Sequence, residues 1–252
     1  MAAELRQTVV APPAKPWRRR GPQVVVLLAL VLFALWLYPI GTHLIRAAMA
    51  VVAVALWMAV VRLYWRRTWW KIASLLPIVV LILIAAKPVS EHAPARLRTR
   101  FVAALQSYEG TRYVWGGENG LGIDCSGLVR RALGDAFIRE ALATGNLGMV
   151  RESMLLRWFD TSAKGLLQEY RGQTRRLFDA RSVRELALAR LQPGDFVVTA
   201  DGIHVMAFLG GTTWIAADPQ AGRVIRLQPG DNNPWLLAPV VVMTWRALEG
   251  QR

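Results

Sequence analysis

Hydrophobic positions along this chain change their spacing partway along. Between residues 24 and 86 they run almost without interruption, in three stretches at 24–40, 44–61 and 69–86. The first is wholly apolar, the second holds one charge, Arg46, near its start, and the third is broken by Lys71, Ser74 and Pro77. The first is about long enough, as a helix, to cross roughly 30 Å of hydrocarbon, whereas the second and third, with about 15 strictly apolar residues each, need membrane thinning or interfacial help to span. Three transmembrane helices are still expected, with Arg46 and Lys71 snorkelling to the headgroups. Buried core helices are the competing reading. Against it stand Trp17, Trp36, Trp57, Trp65, Trp69 and Trp70, several of them at stretch ends where an aromatic belt lies. A signal peptide cleaved at Ala48-Met49-Ala50 is disfavoured because two further apolar stretches follow.

Later the spacing becomes amphipathic. Phe101, Val102, Ala104, Leu105 and Tyr108 recur at helical intervals, and a second helical pattern follows Asp124 through Ala132, Leu133 and Phe137. Further helical signals cover 149–159, 162–170 and 182–190, the last opened by a Ser182-x-x-Glu185 capping box. Strand patterns appear at 196–199, 204–209 and 213–218, punctuated by the turn signals Pro193-Gly194-Asp195 and Asp201-Gly202. The expected layout is a basic N-terminus over 1–22, a transmembrane region over 23–86, a linker over 87–97 and an outer domain over 98–252 with a helical insertion at about 139–190.

Charge orients this layout. The chain is 54% hydrophobic yet carries a formal net charge of +14. Residues 1–95 hold 11 Lys and Arg against 2 Asp and Glu, whereas residues 96–252 hold 20 against 15. Basic charge interleaved with apolar runs fits an anionic membrane surface. Nucleic acid is not an expected partner, because no zinc-ligand spacing or nucleic-acid module accompanies that charge. Lys15 and Arg18 to Arg20 precede the first stretch, Arg62, Arg66, Arg67 and Lys71 separate the second from the third, and only Arg46 separates the first from the second. The positive-inside rule then puts the N-terminus in the cytoplasm and, after three crossings, the later domain outside.

The chemistry concentrates around one cysteine. Tyr113-Val114-Trp115-Gly116-Gly117 leads through a loop with Gly120 and Gly122 to Asp124-Cys125-Ser126-Gly127. Asp124 as N-cap sets Cys125 in the first helical turn. There the helix dipole favours thiolate, lowering the pKa below about 8.5, and the backbone N–H faces a developing oxyanion. An inert buried thiol is the alternative, opposed by the glycine-rich approach and the cap. A nucleophilic cysteine needs a base, and His204 is the one histidine after Arg98. On a strand it shares a face with Met206 and Phe208, projecting toward the Cys125 helix. His43 and His92 lie in or beside the membrane part. No metal or other cofactor is expected, since one cysteine and one outer histidine make no ligand set.

Taken in order, YVWGG, DCSGLV, LQPGD and HV…FLG resemble the NlpC family of bacterial cell-wall cysteine peptidases, over roughly residues 98–245. The resemblance implies a papain-like α+β fold, with a nucleophile helix packed on an antiparallel sheet that carries the base. It also implies hydrolysis of peptidoglycan stem peptides, typically between D-glutamate and the following diamino acid. By position, Tyr113 would assist the oxyanion hole, and Asp124, Ser126 and Trp115 would bind the substrate peptide. The position of the third, orienting residue holds Ala216. Asp218, one pleat repeat or roughly 6–7 Å further along, is either a substitute orienter or a turn residue before Pro219. Arg171, Arg175 and Arg176 form either a solvated helical face or a lid surface for anionic polymer or lipid. A papain-like acyltransferase or lipid hydrolase, and an inactive wall-binding module, are the alternative functions.

Overall fold

The computed structural model describes residues 16–88 and 93–249; Lys15 and His92 lie outside them. Helices α1 (Pro16–Leu37) and α2 (His43–Tyr64) form a hairpin, with Thr42 capping α2 through its hydroxyl. The third apolar stretch is divided into α3 (Thr68–Ala73) and α4 (Leu76–Ala86), α4 starting around Pro77, whose missing N–H costs nothing in a first turn. Three segments, Arg20–Leu37, His43–Tyr64 and Thr68–Ala86, are long and apolar enough to cross a membrane. Their side chains point outward: α3 and α4 bury none, and α2 buries only Arg46 and Ala59. The core-helix reading therefore has no support, because a buried helix would hide the apolar surface that these expose.

One expectation about charge is corrected. Arg46 does not snorkel but is buried, donating to the Trp158 carbonyl at 2.8 Å and to the Glu118 carboxylate at 2.5 Å. A guanidinium gains more from a fixed carboxylate and carbonyl than from partial hydration at a headgroup. Lys71 sits 5.2 Å from the Trp65 ring centroid, a cation–π contact.

The C-terminal domain starts with α5 (Pro94–Ser107), so the linker ends earlier than expected. A two-strand ribbon, β1 (Glu118–Asn119) and β2 (Gly122–Ile123), precedes α6 (Cys125–Thr144), α7 (Leu147–Trp158) and the short α8 (Ala163–Leu167). Six antiparallel strands follow: β3 (Thr174–Ala180), β4 (Phe196–Thr199), β5 (Val205–Gly210), β6 (Thr213–Asp218), β7 (Arg223–Leu227) and β8 (Val240–Trp245), ordered β3-β8-β4-β5-β6-β7. The fold is α+β, with α5 and α6 against one sheet face.

Strand alternation divides the core in two. Val198, Val205, Ala207, Ile215, Met243 and Trp245 meet Phe101, Leu105, Leu128 and Leu133 of α5 and α6. Val197, Met206, Phe208, Trp214, Ala216 and Val242 face the other way, onto Val183, Leu186, Leu191 and Leu236. Trp214 and Trp245 are fully buried, and truncating either to alanine costs about 3–5 kcal/mol.

The insertion is only partly helical. Residues 182–190 form two 3₁₀ turns, Val183–Glu185 and Leu188–Arg190, rather than a helix, and Ser182 makes no side-chain cap bond. Burial of Val183 and Leu186 needs a single turn, after which Leu186 is extended. The preceding stretch is the edge strand β3. The arginines here are dispersed rather than clustered on a helix: within β3 Arg175 pairs with Glu249 and Arg176 with Asp179, while Arg171, in the preceding 3₁₀ turn Tyr170–Gly172, lies 3.7 Å from the Phe159 ring centroid.

Candidate active site

The glycine-rich loop and the start of α6 form one hydrogen-bonded unit. Asp124 caps α6, its Oδ1 accepting from Gly127 N at 2.6 Å and from Ser126 Oγ at 2.9 Å, while Oδ2 accepts from Gly116 N at 2.9 Å. These bonds hold Gly116 over the first turn. Gly127 is required there, because a Cβ at that position would come within 2.4 Å of the Gly117 carbonyl oxygen. Burial raises the Asp124 pKa and the three donors oppose it.

Cys125 occupies the first helical position and is 7% exposed. Its thiol donates to the Ile203 carbonyl at 3.8 Å, and the Val205 N–H also points to the sulfur. The expected low thiol pKa is corrected: burial, and then the Asp124 carboxylate, push it up to about 12. The nearby backbone N–H groups pull the other way and lose, since removing a thiolate from water costs more than a few dipoles return.

His204 stands at the mouth of β5, 2% exposed, its backbone N–H held by Thr199 Oγ1 at 3.0 Å. Met206 and Phe208 pack into the second core, and His204 immediately precedes β5 rather than lying within it. The Cys125 sulfur meets the backbone on both sides of His204, the Ile203 carbonyl and the Val205 N–H. The imidazole lies on the Trp235 indole, with centroids 4.4 Å apart and planes at 19°. Burial lowers its pKa to about 4, against the opposing pull of Asp218 and Asp201. Nε2 is buried and, among the described residues, has no hydrogen-bond partner.

Asp218 is fully buried at the end of β6, and its carboxylate is committed elsewhere. Oδ1 accepts from Gln220 N at 2.6 Å and Ala221 N at 3.0 Å, and Oδ2 accepts from Asn233 Nδ2 at 2.6 Å. It acts on His204 through its charge. Ala216 contributes a methyl group to the second core.

Around the thiol opens a cleft of about 470 Å³. Tyr113, Trp115 and Gly116 line one wall, Asp124 to Ser126 the floor, Asp160 to Ala163 a second wall and Gly202 and Ile203 the rim. Trp115 is 78% exposed at the mouth. Tyr113 has its hydroxyl pKa raised to about 12, by burial first and then by Cys125 and Asp124, so the phenol keeps its proton at neutral pH. Among the described residues no three His, Cys, Asp or Glu converge to hold a metal. Sequence reasoning missed Thr199, Trp235 and the wall from the insertion. Thr199 could have been found from its Thr-x-Asp turn, whereas Trp235 and residues 160–163 carry no local signal.

A family model described as the NlpC/P60 family matches residues 110–242. The chain is similar to the solved structure of the peptidoglycan hydrolase RipB from Mycobacterium tuberculosis, with 19% identity, 67% of this chain and 72% of that one covered, and a TM-score of 0.39. It is also similar to NlpC1 from Trichomonas vaginalis, with 18% identity, 64% and 48% coverage and a TM-score of 0.39. A third likeness is to the NlpC/p60 domain of the peptidoglycan hydrolase SagA, with 23% identity, 57% and 97% coverage and a TM-score of 0.34. The comparison with curated proteins finds no match.

Proposed function

We propose, from the premise that this chain belongs to the NlpC/P60 family of cell-wall cysteine peptidases, that it is a membrane-held hydrolase of peptidoglycan stem peptides, with Cys125 as nucleophile and His204 as base. The observation that carries this reading is the placement of the Cys125 sulfur in an open cleft, against the backbone on both sides of His204. The bond assigned to it is that between D-glutamate and the following diamino acid.

Thiol and imidazole both rest neutral, so proton transfer accompanies attack. Because Nε2 is buried with no hydrogen-bond partner among the described residues, Nδ1 is the ring atom assigned to take the Cys125 proton as sulfur bonds to the scissile carbonyl carbon. The oxyanion receives the Cys125 backbone N–H and the Tyr113 hydroxyl, a donor because it stays protonated. The imidazolium then protonates the leaving amine. Water, deprotonated by the same imidazole, cleaves the thioester and restores the thiol. Trp115, Ser126 and the Asp160 to Ala163 wall hold the stem peptide. Asp124 acts chiefly through the cap, its carboxylate being fully engaged.

Helix directions support the expected topology. The turn between α1 and α2 and the end of α4 both touch the outer domain, through Gly41 N to Gly116 O at 3.0 Å and Arg151 to the Ala85 and Lys87 carbonyls. Arg20, Arg62, Arg66 and Arg67 gather at the opposite end, the cytoplasmic one by charge. A second reading, a wall-binding module without turnover, is favoured by one observation, the missing polar partner for Nε2. Incubating the full chain in nanodiscs with muropeptides and, separately, with phospholipid, followed by mass spectrometry, tests both. Peptide-bond products support the proposal. Binding without products supports the second reading, and released fatty acid overturns both in favour of a lipid hydrolase.

A further inference from the structure

The turn of the membrane hairpin is built against the cleft wall that carries Gly116. Residues 38–41 lie alongside residues 116–119, with Ile40 bridging Gly117 in antiparallel fashion. Gly41 N donates to Gly116 O at 3.0 Å, Glu118 N to Pro39 O at 2.9 Å and Asn119 Nδ2 to Tyr38 O at 3.1 Å. Gly116 in turn donates to the Asp124 carboxylate that caps the Cys125 helix. The turn is thus two hydrogen bonds from the nucleophile's cap.

A buried charge cluster locks this contact. Glu118 accepts from Arg46 of α2 at 2.5 Å and from Arg130 of α6, and Arg130 also pairs with Asp160 on the second cleft wall at 2.8 Å. Arg46 and Arg130 are 7% and 4% exposed. Burial raises the Glu118 pKa and the two guanidinium groups oppose it. Losing one of them leaves a desolvated carboxylate half-paired, which favours its protonation or movement toward water. Gly41 is part of the lock, since a Cβ there would come within 2.5 Å of the Glu118 carboxyl carbon.

We infer that Arg46, from within the membrane hairpin, is a positioning residue for the cleft: through Glu118 it fixes the loop at Gly116 and Gly117 and the Asp160 wall, so the anchor sets the geometry around Cys125. The inference rests on the reading of this cleft as the reactive site. Catalytic geometry tolerates little error, and a displacement of about 1 Å costs on the order of a hundredfold in rate.

The test uses the full chain in lipid nanodiscs and two readouts: the rate of Cys125 alkylation by iodoacetamide across pH 7 to 10, and kcat and KM on muropeptides. Arg46→Met should shift the alkylation rate and lower kcat/KM on the order of tenfold or more, Arg46→Lys should recover part of each, and Arg46→Met with Glu118→Gln should be no worse than Arg46→Met alone. Gly41→Ala, which disturbs the same carboxylate without removing charge, should move both readouts in the same direction and decides the matter if Arg46→Met fails to fold. If folded Arg46→Met or Gly41→Ala keeps the wild-type alkylation profile, the inference is overturned. Absence of muropeptide turnover in the wild type would instead sink the peptidase reading, while alkylation would still decide the role of Arg46.

Discussion

The imidazole of His204 lies face to face with the indole of Trp235, with 4.4 Å between centroids and planes at 19°. The position expected for the orienting residue is Ala216, which cannot hold a ring by hydrogen bonding. Stacking fixes the ring plane instead, and when the imidazole takes a proton the indole face offers it a cation–π contact of about 0.5–2 kcal/mol. Trp235→Ala should therefore lower kcat roughly tenfold with little change in KM, and Trp235→Phe should retain part of the rate. Steady-state kinetics on muropeptides checks this; an unchanged kcat in Trp235→Ala would remove the indole from the mechanism.

Asp218 separates structural from catalytic loss. Asp218→Ala strips partners from Gln220 N, Ala221 N and Asn233 Nδ2 and should destabilise the C-terminal domain by about 2–4 kcal/mol. Asp218→Asn keeps an acceptor for the turn, and turnover at pH 7 should stay within about threefold of wild type. A loss of orders of magnitude in folded Asp218→Asn would make the carboxylate the orienter after all. Ala216→His should not rescue either variant, because position 216 is fully buried in the second core and the larger ring overpacks it.

pH dependence follows from His204. With its pKa lowered to about 4, the base stays neutral down to that pH, so the acid limb of kcat/KM should lie near pH 4 rather than near 6.5. Stability carries the same signature. The unfolded chain binds this proton near pH 6.5 and the folded chain only near 4, so stability is fully present above 6.5 and falls as pH drops between those values, by about 3 kcal/mol in all. Thermal melts of wild type against His204→Gln should differ in slope across that window, and parallel slopes would contradict the burial of the ring.

What the sequence disclosed was local. Asp124 caps its helix through a bond to Gly127 three residues on, and the glycine approach to Cys125 is contiguous, so both were legible. Strand β3 was not, because Arg175, Arg176 and Asp179 interrupt its alternation and its pairing with β8 joins distant parts of the chain. The 182–190 stretch satisfied a helix pattern, yet a helix and a 3₁₀ turn bury Val183 and Leu186 at the same spacing. Trp235 against His204, and Arg46 against Glu118 72 positions later, are contacts that only the tertiary fold creates. The raised thiol pKa was hidden for the same reason: the dipole is visible in sequence and the burial is not.

Alkylation probes that burial. With its pKa near 12, the Cys125 thiol of the substrate-free protein should react with iodoacetamide ever faster as pH rises through 10, without levelling, whereas the unfolded chain should level above about pH 8.5. A plateau below pH 8.5 in the folded protein would mean that the resting site holds a thiolate.

The measurement closest to the central claim is intact-mass and peptide-mass analysis of the full chain quenched during turnover of a muropeptide. Wild type should carry a thioester adduct on the peptide containing Cys125, with products divided after D-glutamate. Cys125→Ala should give neither, and His204→Ala should slow adduct formation by orders of magnitude. Cleavage by Cys125→Ala at the wild-type rate, or an adduct on any other residue, would contradict the assignment.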